Sequence, residues 1–517
     1  MKIEKEFFPY NTTSLCPECK KIVPAEVFEE NNQVMIKKKC QEHGEFVDVY
    51  WEDADLFKKS TSHFYDDDLV ENAFITERPA CPFSCGLCSI HRGKTALLNI
   101  VLTNRCDLSC WYCFFYAQKA GYVYEPEIKT IKEMVRKAKA QNQPIGIKAI
   151  QLTGGEPTLR EDLVDIVKMI KKEGIEHIQL NTNGLRMAKE PKLADKLKKA
   201  GINLLYLSFD GVDKESNPKN FDFIQQILEN CRIADLNIVL VPTIIKSVND
   251  NQLGKIINFA LQNMDIIRGV NFQPVSLVGK LTNKEISKFR ITIPGAIKKL
   301  EKQMNGQITK NDFYTVPVVA PISKLIETLT GNPQFKLTTH PACGMATYIF
   351  KDKGKIIPVT HFIDIGKLLD LLRKTIEELK YERADKLSLL KKIFALRKVI
   401  KTKNAPKDLK ISNLLLNIFI NHNYDSLAEF HRKGLFIGFM HFQDLYNYDV
   451  ERVKRCQIHY ASPDGRLIPF CCFNVLPEIY RDKIQREYGL PIGEWELKTG
   501  KKLKDDIVRN VRNLKKN

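Results

Sequence analysis

The stretch Cys106-Asp-Leu-Ser-Cys110-Trp-Tyr-Cys113 places three cysteines at the spacing CxxxCxxC. It follows Leu97 to Leu102, a short apolar run that is typical of a buried strand. Three thiolates on one loop can hold three irons of a [4Fe–4S] cube and leave the fourth iron open to another ligand. A zinc-binding loop, the alternative, would need a fourth ligand. The stretch therefore predicts an iron–sulfur loop at the end of a strand.

Further apolar runs follow this loop at regular intervals, with helix-period segments such as Asp162 to Lys172 between them. Six strand–helix repeats of this kind imply parallel strands with right-handed crossovers. We therefore expect an α/β fold, an open (βα)6 barrel like part of a TIM barrel. The strands predicted after the first are Ile150 to Thr153, His177 to Leu180, Leu204 to Ser208, Ile238 to Val241 and Val270 to Gln273.

Polar segments stand at the carboxyl ends of these predicted strands, where the loops of a barrel converge on its active site. Glycines at the end of the second strand would let the backbone approach a ligand. Any one segment alone would more often be an ordinary turn. Together with the cysteine loop they indicate a cofactor site. The candidate residues are Gly154, Gly155, Glu156, Pro157, Thr182, Asn183, Ser208, Asp210 and Gln273.

The cysteine spacing, with the aromatic Tyr112 before the last cysteine, resembles the radical S-adenosylmethionine superfamily. The resemblance implies that Cys106, Cys110 and Cys113 hold a [4Fe–4S] cluster whose open iron binds the amino and carboxylate groups of S-adenosylmethionine. It also implies that Tyr112 flanks the adenine and that Gln273 lies near it. The glycine-rich segment would bind the methionyl amino group, and the segments after the third and fourth strands would reach the ribose and the carboxylate.

The N-terminal cysteines form two knuckles, Cys16-Pro-Glu-Cys19 and Cys40-Gln-Glu-His43. Four ligands from paired knuckles suit one tetrahedral ion, either zinc or rubredoxin-like iron. His43 could instead be a surface turn histidine, but it completes the second knuckle. We expect residues 1–75 to form a zinc-ribbon- or rubredoxin-like module with one mononuclear Fe or Zn.

A second CxxxCxxC group, Cys81-Pro-Phe-Ser-Cys85-Gly-Leu-Cys88, precedes the barrel in residues 76–95. Because it has no aromatic residue before its last cysteine and no glycine-rich strand end of its own, we predict an auxiliary cluster there. Cys231 lies in an amphipathic stretch and is expected to be an inert buried thiol. The barrel itself is assigned to residues 96–285.

The last four cysteines accompany two hairpin-like copies in residues 286–517, one after Cys343 and one after Cys456. Such hairpins resemble the auxiliary-cluster domains of many radical enzymes, so we expect an α+β domain and a total of three [4Fe–4S] clusters. Cys343, Cys456, Cys471 and Cys472 can supply a full four-thiolate site, but adjacent cysteines rarely ligate one cluster. Which of them completes the Cys81 group is therefore left open.

Between the copies lie two apolar runs, Leu414 to Ile420 and Leu435 to Phe442. They are interpreted either as helical core or as a wall for a long-chain substrate, with a basic face toward anionic head groups. The chain carries 80 Lys+Arg and 62 Asp+Glu, a formal net charge of +18 that favours phosphate-bearing partners. No apolar leader or spanning stretch is present, so we predict a cytoplasmic protein and leave open a peripheral place at the inner membrane face.

The order of ribbon, auxiliary group, radical core and paired hairpins resembles the archaeal tetraether lipid synthases, including those that form macrocyclic archaeol. This resemblance implies coupling of the terminal methyl carbons of two phytanyl chains of a diether lipid, with two S-adenosylmethionine molecules per sp3 C–C bond and an electron donor such as ferredoxin. The cofactor radical would abstract hydrogen, so no catalytic side chain is assigned.

Two alternatives use other features of the chain. A radical methylase of a pterin-type ring would use the same core without a long apolar wall. A nucleic-acid-modifying enzyme would use the ribbon and the charge, but no RNA-binding motif is found, so no nucleic-acid partner is expected.

Overall fold

The computed structural model describes residues 7–65, 69–113, 115, 120–278, 288–381, 399–409 and 425–506. Nineteen strands form in this part of the chain and are numbered in chain order. They are β1 (Tyr10–Leu15), β2 (Ile22–Glu30), β3 (Gln33–Cys40), β4 (Gly44–Trp51), β5 (Leu97–Thr103), β6 (Tyr122–Val123), β7 (Ala149–Gly154), β8 (His177–Thr182), β9 (Leu204–Ser208), β10 (Ile238–Val241), β11 (Thr243–Ile244), β12 (Ile267–Pro274), β13 (Tyr314–Thr315), β14 (Gly344–Asp352), β15 (Lys355–Pro358), β16 (Gly434–Met440), β17 (Ile458–Ala461), β18 (Leu467–Pro469) and β19 (Leu490–Pro491).

Helices cover the sheets and link the strands. None of those in the described part of the chain is both long enough and apolar enough to cross a membrane. Their bounds are Ala54–Thr61, Ile128–Gln141, Leu163–Lys172, Leu185–Lys189, Pro191–Ala200, Ile224–Ile233, Leu253–Gln262, Ile293–Gln303, Ala320–Thr330, Ile365–Tyr381, Asp425–Lys433, Val450–Lys454, Phe470–Val475, Arg481–Glu487 and Ile492–Thr499.

The N-terminal module is an antiparallel sheet in the order β1-β2-β3-β4. Asn31 and Asn32 both have positive φ, 51° and 58°, in the tight turn between β2 and β3. Two such residues make the turn whose twist matches paired strands, and asparagine tolerates this conformation well. The sheet buries Val27, Val34 and Trp51 against the rest of the chain. The predicted ribbon is therefore confirmed as a small folded sheet.

The six predicted barrel strands are all present, and they pair in parallel in the order β5-β7-β8-β9-β10-β12. The intervening helices bury one stripe each; in Leu163–Lys172 the stripe is Leu163, Ile166, Val167 and Ile170. Spacings of three and four residues place these side chains on one helix face. The open α/β barrel is confirmed, and its strands end together at one rim.

Two C-terminal strands extend the barrel sheet at its edges, and the two hairpins lie at these positions. β16 pairs in parallel with β12, and β17 pairs in parallel with β5, so eight parallel strands stand in one row. The first hairpin, β14 with β15, lies outside β16, and β18 lies outside β17. The division of the chain at residues 75, 95 and 285 stays a prediction, since this sheet continues from the barrel into residues 286–517.

The apolar run Leu435 to Phe442 is not helical, which corrects the interpretation of the segment between the hairpins. Most of it forms β16, a strand with a neighbour on each side, β12 and β14. A strand inside a sheet that is covered on both faces is apolar along its whole length. Its sequence pattern therefore cannot be distinguished from that of a buried helix. Phe439 packs in the core against Phe272 and Phe313. The other run, Leu414 to Ile420, lies outside the described residues.

Candidate active site and metal centres

The ribbon brings its four predicted ligands together. The ligand atoms of Cys16, Cys19, Cys40 and His43 all lie within 4.8 Å of one another. Nδ1 of His43 is 3.8 Å from Sγ of Cys16 and 3.6 Å from Sγ of Cys40. The hydrogen bond with His43 lowers the pKa of the Cys40 thiol to about 6. Three thiols and one imidazole at these distances fit a tetrahedral metal ion.

The second metal-binding candidate is the cysteine loop after β5. Cys106, Cys110 and Cys113 line a cavity of about 240 Å³ at the carboxyl ends of the barrel strands. Burial raises the pKa of all three thiols, that of Cys110 to about 12. Burial thus favours the protonated thiols, and a bound metal would favour the thiolates. No fourth thiol stands among the described residues that line the cavity. This donor set fits an iron–sulfur cluster with one iron open to the cavity.

The glycines after β7 allow the glycine-rich segment to lie against the cysteine loop. A Cβ on Gly154 would come within 2.1 Å of the carbonyl oxygen of Thr103, and one on Gly155 within 2.0 Å of the carbonyl oxygen of Arg105. Gly154 also has a φ of 141°, which a side chain disfavours. The glycines are thus needed for a close approach of two backbone segments, whereas the sequence suggested an approach to a ligand.

Glu156 follows these glycines and lies buried at the cavity wall. Its Oε1 accepts hydrogen bonds from Thr158 and Thr182, and its Oε2 accepts one from the backbone N–H of Asn183 at 2.8 Å. Burial, followed by the charge of Asp107, raises the pKa of Glu156 to about 7. The carboxyl group therefore gains and loses its proton near neutral pH. In its ionised form it can accept a hydrogen bond from a cationic or neutral donor in the cavity.

Tyr112, Asp210 and Lys219 form a second linked group, of which Tyr112 and Lys219 line the cavity. The Tyr112 hydroxyl donates to Asp210, whose carboxylate lies 2.8 Å from Nζ of Lys219. Lys219 also donates to Oγ of Ser208 at 2.7 Å, and its Nζ lies 5.0 Å from the centre of the Tyr112 ring. Lys219 is only 4% exposed. This places a fixed cation and a fixed aromatic ring at the cavity.

Lys219 was not a predicted site residue. It lies in the loop after β9, eleven residues beyond Ser208, and no local spacing distinguishes it from other surface lysines. Asn220, next to it, donates to the carbonyl oxygens of Asn183 and Ser208. This residue ties the ends of two neighbouring strands together and was also missed.

Amide side chains line the inner wall of the barrel, and sequence reasoning missed them as well. Nε2 of Gln179 donates to Gln151 at 2.7 Å, and Nε2 of Gln151 donates to Oδ1 of Asn99 at 2.9 Å. Asn99 is fully buried, lines the cavity, and its Nδ2 has no partner among the residues that the structure describes. The polar residue within each of these apolar strands could have predicted them, since a polar residue there marks a position that faces the interior of the barrel.

Most of the predicted cofactor residues reach the cavity. Pro157 and Asp210 do not line it: Pro157 opens the short 3₁₀ helix Pro157–Leu159, and Asp210 acts through Tyr112 and Lys219. The predicted residues that do line it are Tyr112, Gly154, Gly155, Glu156, Thr182, Asn183, Ser208 and Gln273.

The remaining cysteines separate into two groups. Sγ of Cys85 lies 3.5 Å from Sγ of Cys472, and Cys85 lies close enough to Cys81 to raise the pKa of the Cys81 thiol. Cys88 lies close enough to Cys81 for that thiol to raise its pKa, after the larger effect of burial. Cys472 is therefore the C-terminal cysteine that joins the Cys81 group, which answers the question that the sequence left open.

Cys343, Cys456 and Cys471 form the other group. The pKa of Cys456 is raised mainly by burial, then by Cys471 and Cys343. Cys471 and Cys472 lie side by side in the helix Phe470–Val475. Because consecutive helical residues project about 100° apart, the two thiols reach different groups. Cys231 belongs to neither and is fully buried in the barrel core, as predicted.

Two family models match the chain. The model of the radical SAM superfamily matches residues 100–260, and that of the HMPTM N-terminal zinc ribbon domain matches residues 8–52. The first range holds the cysteine loop and the strand ends that line the cavity, and the second holds the four ligands of the ribbon. Both predicted modules are therefore confirmed.

Relatives of known name cover different shares of the chain. A 7,8-dihydro-6-hydroxymethylpterin dimethyltransferase from Methanocaldococcus jannaschii is 43% identical over 497 residues, which are 94% of this chain and 96% of that protein. A GTP 3',8-cyclase from Clostridium perfringens is 31% identical over 195 residues, 37% of this chain and 60% of that protein. Among solved structures, methylornithine synthase matches 41% of this chain and 63% of its own, with 18% identity and a TM-score of 0.31.

The prediction of a tetraether lipid synthase is contradicted by the first of these relatives, which is named a pterin dimethyltransferase. The order of the cysteine groups tells which metal centres a chain can build, but not which molecule occupies its barrel. One of the two apolar runs that supported a lipid is a core strand. Because 94% of its length aligns with that relative at 43% identity, the chain belongs to the radical SAM superfamily and, within it, to the family of the Methanocaldococcus jannaschii dimethyltransferase.

Proposed function

We propose that this chain is a radical S-adenosylmethionine methyltransferase that acts on a pterin-type ring. The observation that carries the proposal is the 43% identity to 7,8-dihydro-6-hydroxymethylpterin dimethyltransferase over almost the full length of both chains. The ribbon match adds to it, since that domain model bears the name of the same enzyme. By this reading the chain transfers methyl groups to a dihydropterin.

S-adenosylmethionine would lie in the barrel cavity. A [4Fe–4S] cluster on Cys106, Cys110 and Cys113, with S-adenosylmethionine, supplies a 5′-deoxyadenosyl radical that can remove hydrogen from an unactivated carbon. Glu156 would accept a hydrogen bond from the methionyl amino group once its carboxyl has lost its proton. Asp210 holds the Tyr112 hydroxyl and thereby fixes the ring that would flank the adenine.

Two further clusters complete the proposed set. Cys472 gives the Cys81 group the four thiols that a closed [4Fe–4S] cluster requires. Cys343, Cys456 and Cys471 give a third group three thiols. Reduction of these centres needs a one-electron donor of low potential, such as a ferredoxin. The ribbon would hold zinc or iron. Metal analysis of a Cys40→Ser variant and of the unaltered protein would identify the ribbon metal as the one that the variant loses, apart from the cluster iron.

The inner wall of the cavity supports a planar polar substrate. A pterin has a flat ring system with hydrogen-bond donors and acceptors along its edge. Asn99 offers a free amide donor, and leaving such a group buried and unpaired costs about 1–3 kcal/mol. Phe442 and Phe470 also line the cavity and stack with ring centres 3.7 Å apart. Aromatic rings and amides together recognise the faces and the edge of a heteroaromatic ring.

The test is the pterin content of a host that expresses the chain, where every cellular methyl donor is present. We expect dihydropterins carrying one and two additional methyl groups, detected by mass spectrometry. A matched host expressing the variant with Cys106, Cys110 and Cys113 all replaced by Ala should lack them. If the purified, reconstituted enzyme cleaves S-adenosylmethionine but leaves 7,8-dihydro-6-hydroxymethylpterin unchanged, and the host gains no methylated pterin, the proposal is wrong.

A further inference from the structure

Arg452 is a buried cation that pairs with no carboxylate of the described residues. It lies in the helix Val450–Lys454 and is 2% exposed. Its Nη2 donates to the carbonyl oxygen of His441 at 2.6 Å, while its Nε has no partner among the described residues. Arg290, equally buried, shows the usual arrangement: its guanidinium lies 3.0 Å from Asp444 and 3.1 Å from Asp48.

The titratable groups near Arg452 are the thiols of the cysteine group, the phenols of Tyr50 and Tyr10, and the imidazoles of His340 and His441. The guanidinium of Arg452 lies near Cys343, Cys471 and Tyr50. His441, whose carbonyl oxygen accepts from Arg452, donates its backbone N–H to the carbonyl oxygen of Cys343 at 3.0 Å. The Tyr50 hydroxyl donates its own proton to Asp449, so it brings no negative charge. Burying an unpaired charge costs free energy, because no opposite charge offsets the loss of its hydration. The Asp449 carboxylate lies beyond the Tyr50 hydroxyl, so the thiols of the cysteine group are the groups next to Arg452 that can carry the balancing negative charge.

We infer that Arg452 is the counter-ion of an iron–sulfur cluster held by Cys343, Cys456 and Cys471, and that its charge makes this cluster easier to reduce. This inference rests on the cluster set of the proposed function. The guanidinium favours the state with one more electron, and the surroundings of low dielectric constant strengthen that effect. Arg452 is a positioning residue in this role, since it acts through the cluster and touches no substrate.

The Cys81 group provides the contrast within the same chain. Hydroxyl groups surround it: Tyr448 lies 3.2 Å from Sγ of Cys472, and Tyr480 accepts from the backbone N–H of Cys85 at 3.0 Å. Lys454, a cation that acts on Cys81, is itself paired with Glu451 at 2.6 Å. The two auxiliary clusters should therefore differ in reduction potential, with the one beside Arg452 the higher.

The experiment is a redox titration of the full, anaerobically reconstituted chain, followed by electron paramagnetic resonance. Replacing Cys343, Cys456 and Cys471 by Ala identifies the signal of this cluster by its loss. In Arg452→Gln and Arg452→Met the ratio of reduced to oxidised cluster at a fixed potential should fall at least tenfold, a shift of about 59 mV for one electron. Arg452→Lys, which keeps the charge, should shift it less.

Arg160→Gln is the matched control. Arg160 is also a buried arginine, but its guanidinium is bound to Asp162 and to backbone carbonyl oxygens of the barrel. Its loss should leave the potential of the Cys343 cluster unchanged. Iron content and thermal unfolding are measured for every variant.

Each outcome decides for or against the inference. An unchanged potential in both neutral variants overturns it, as does an equal shift in Arg452→Lys. If both neutral variants lose the cluster or do not fold while Arg452→Lys keeps it, the charge is required and the inference stands; if Arg452→Lys also fails to fold, packing alone explains the residue. Because no pterin enters the titration, failed methylation leaves this test intact, and an unchanged potential leaves the proposed methylation intact.

Discussion

Two loops of this protein carry the same CxxxCxxC spacing and lie in opposite surroundings. Cys106, Cys110 and Cys113 line the barrel cavity, where no other thiol of the described residues is found. The Cys81 group lies under the C-terminal helix Phe470–Val475, where Cys472 comes within 3.5 Å of Cys85. Spacing fixes how many irons a loop can hold, whereas the surroundings fix whether the last iron stays open.

Removing the open site should have the largest effect. With Cys106, Cys110 and Cys113 all replaced by Ala, we expect no cleavage of S-adenosylmethionine to 5′-deoxyadenosine and a loss of about four irons per chain. The same replacement at Cys81, Cys85 and Cys88 should remove a similar amount of iron but leave some cleavage. Chromatography of 5′-deoxyadenosine measures cleavage, and iron analysis measures the loss of clusters. Cleavage by the first variant would contradict the assignment of S-adenosylmethionine to the loop of Cys106, Cys110 and Cys113.

Opening the closed site should have a smaller effect. We expect Cys472→Ala to destabilise the Cys81 cluster and to lower the iron content, because one iron loses its thiolate, while cleavage of S-adenosylmethionine continues. Cys231→Ala is the control, since this thiol is buried far from both groups in the barrel core. Iron analysis and electron paramagnetic resonance provide the readout. Unchanged iron in Cys472→Ala would assign the fourth position to another residue.

The binding of S-adenosylmethionine at the open site should depend on pH through Glu156, which the closed site lacks. Burial raises the pKa of Glu156 to about 7, so its carboxyl is mostly protonated at pH 6 and mostly ionised at pH 8. A protonated carboxyl is a poor acceptor, so we expect S-adenosylmethionine to bind more tightly as pH rises, by up to tenfold per unit below pH 7. Glu156→Gln should flatten this dependence, which equilibrium binding measures; the same slope in that variant would exclude Glu156.

The same pKa sets the direction of a stability effect. The folded state holds the Glu156 proton more tightly than the unfolded state does, since the pKa rises on folding. This group therefore reduces the free energy of unfolding as pH rises from its ordinary pKa toward 7, and the contribution is constant above that.

The smallest expected effect concerns the inner wall of the open site. Asn99→Leu removes the free amide donor and should weaken pterin binding by about 1–3 kcal/mol, with no change in uncoupled cleavage of S-adenosylmethionine. Gln179→Leu makes the same chemical change in the same hydrogen-bonded row, but Gln179 does not line the cavity. Equal losses of pterin affinity in both variants would argue for a general disturbance of the wall.

Local patterns predicted most of this architecture. The strands, the cysteine loops and the knuckles with His43 each depend on residues that are neighbours in sequence, so spacing and periodicity reveal them. Lys219 and the row of Asn99, Gln151 and Gln179 depend on contacts across the barrel, which single positions do not show. The assignment of Cys471 and Cys472 to different groups depends on the direction of each side chain in a helix, which the sequence does not show. The strand β16 was predicted as a helix because both of its faces are covered, so that its sequence is apolar throughout.

The placement of β16 and β17 has a consequence for the order of synthesis. β5 and β12 are the edges of the six-stranded barrel, and each receives its outer neighbour only from residues beyond 433. A ribosome-bound chain that has completed the barrel therefore still presents two unpaired strand edges and an incomplete cavity wall, since Met440, Phe442, Ile458 and Phe470 are missing from it. Exposed edges of this kind invite pairing with other chains. The nascent protein is thus most open to iron delivery, and most exposed to aggregation, during the same interval.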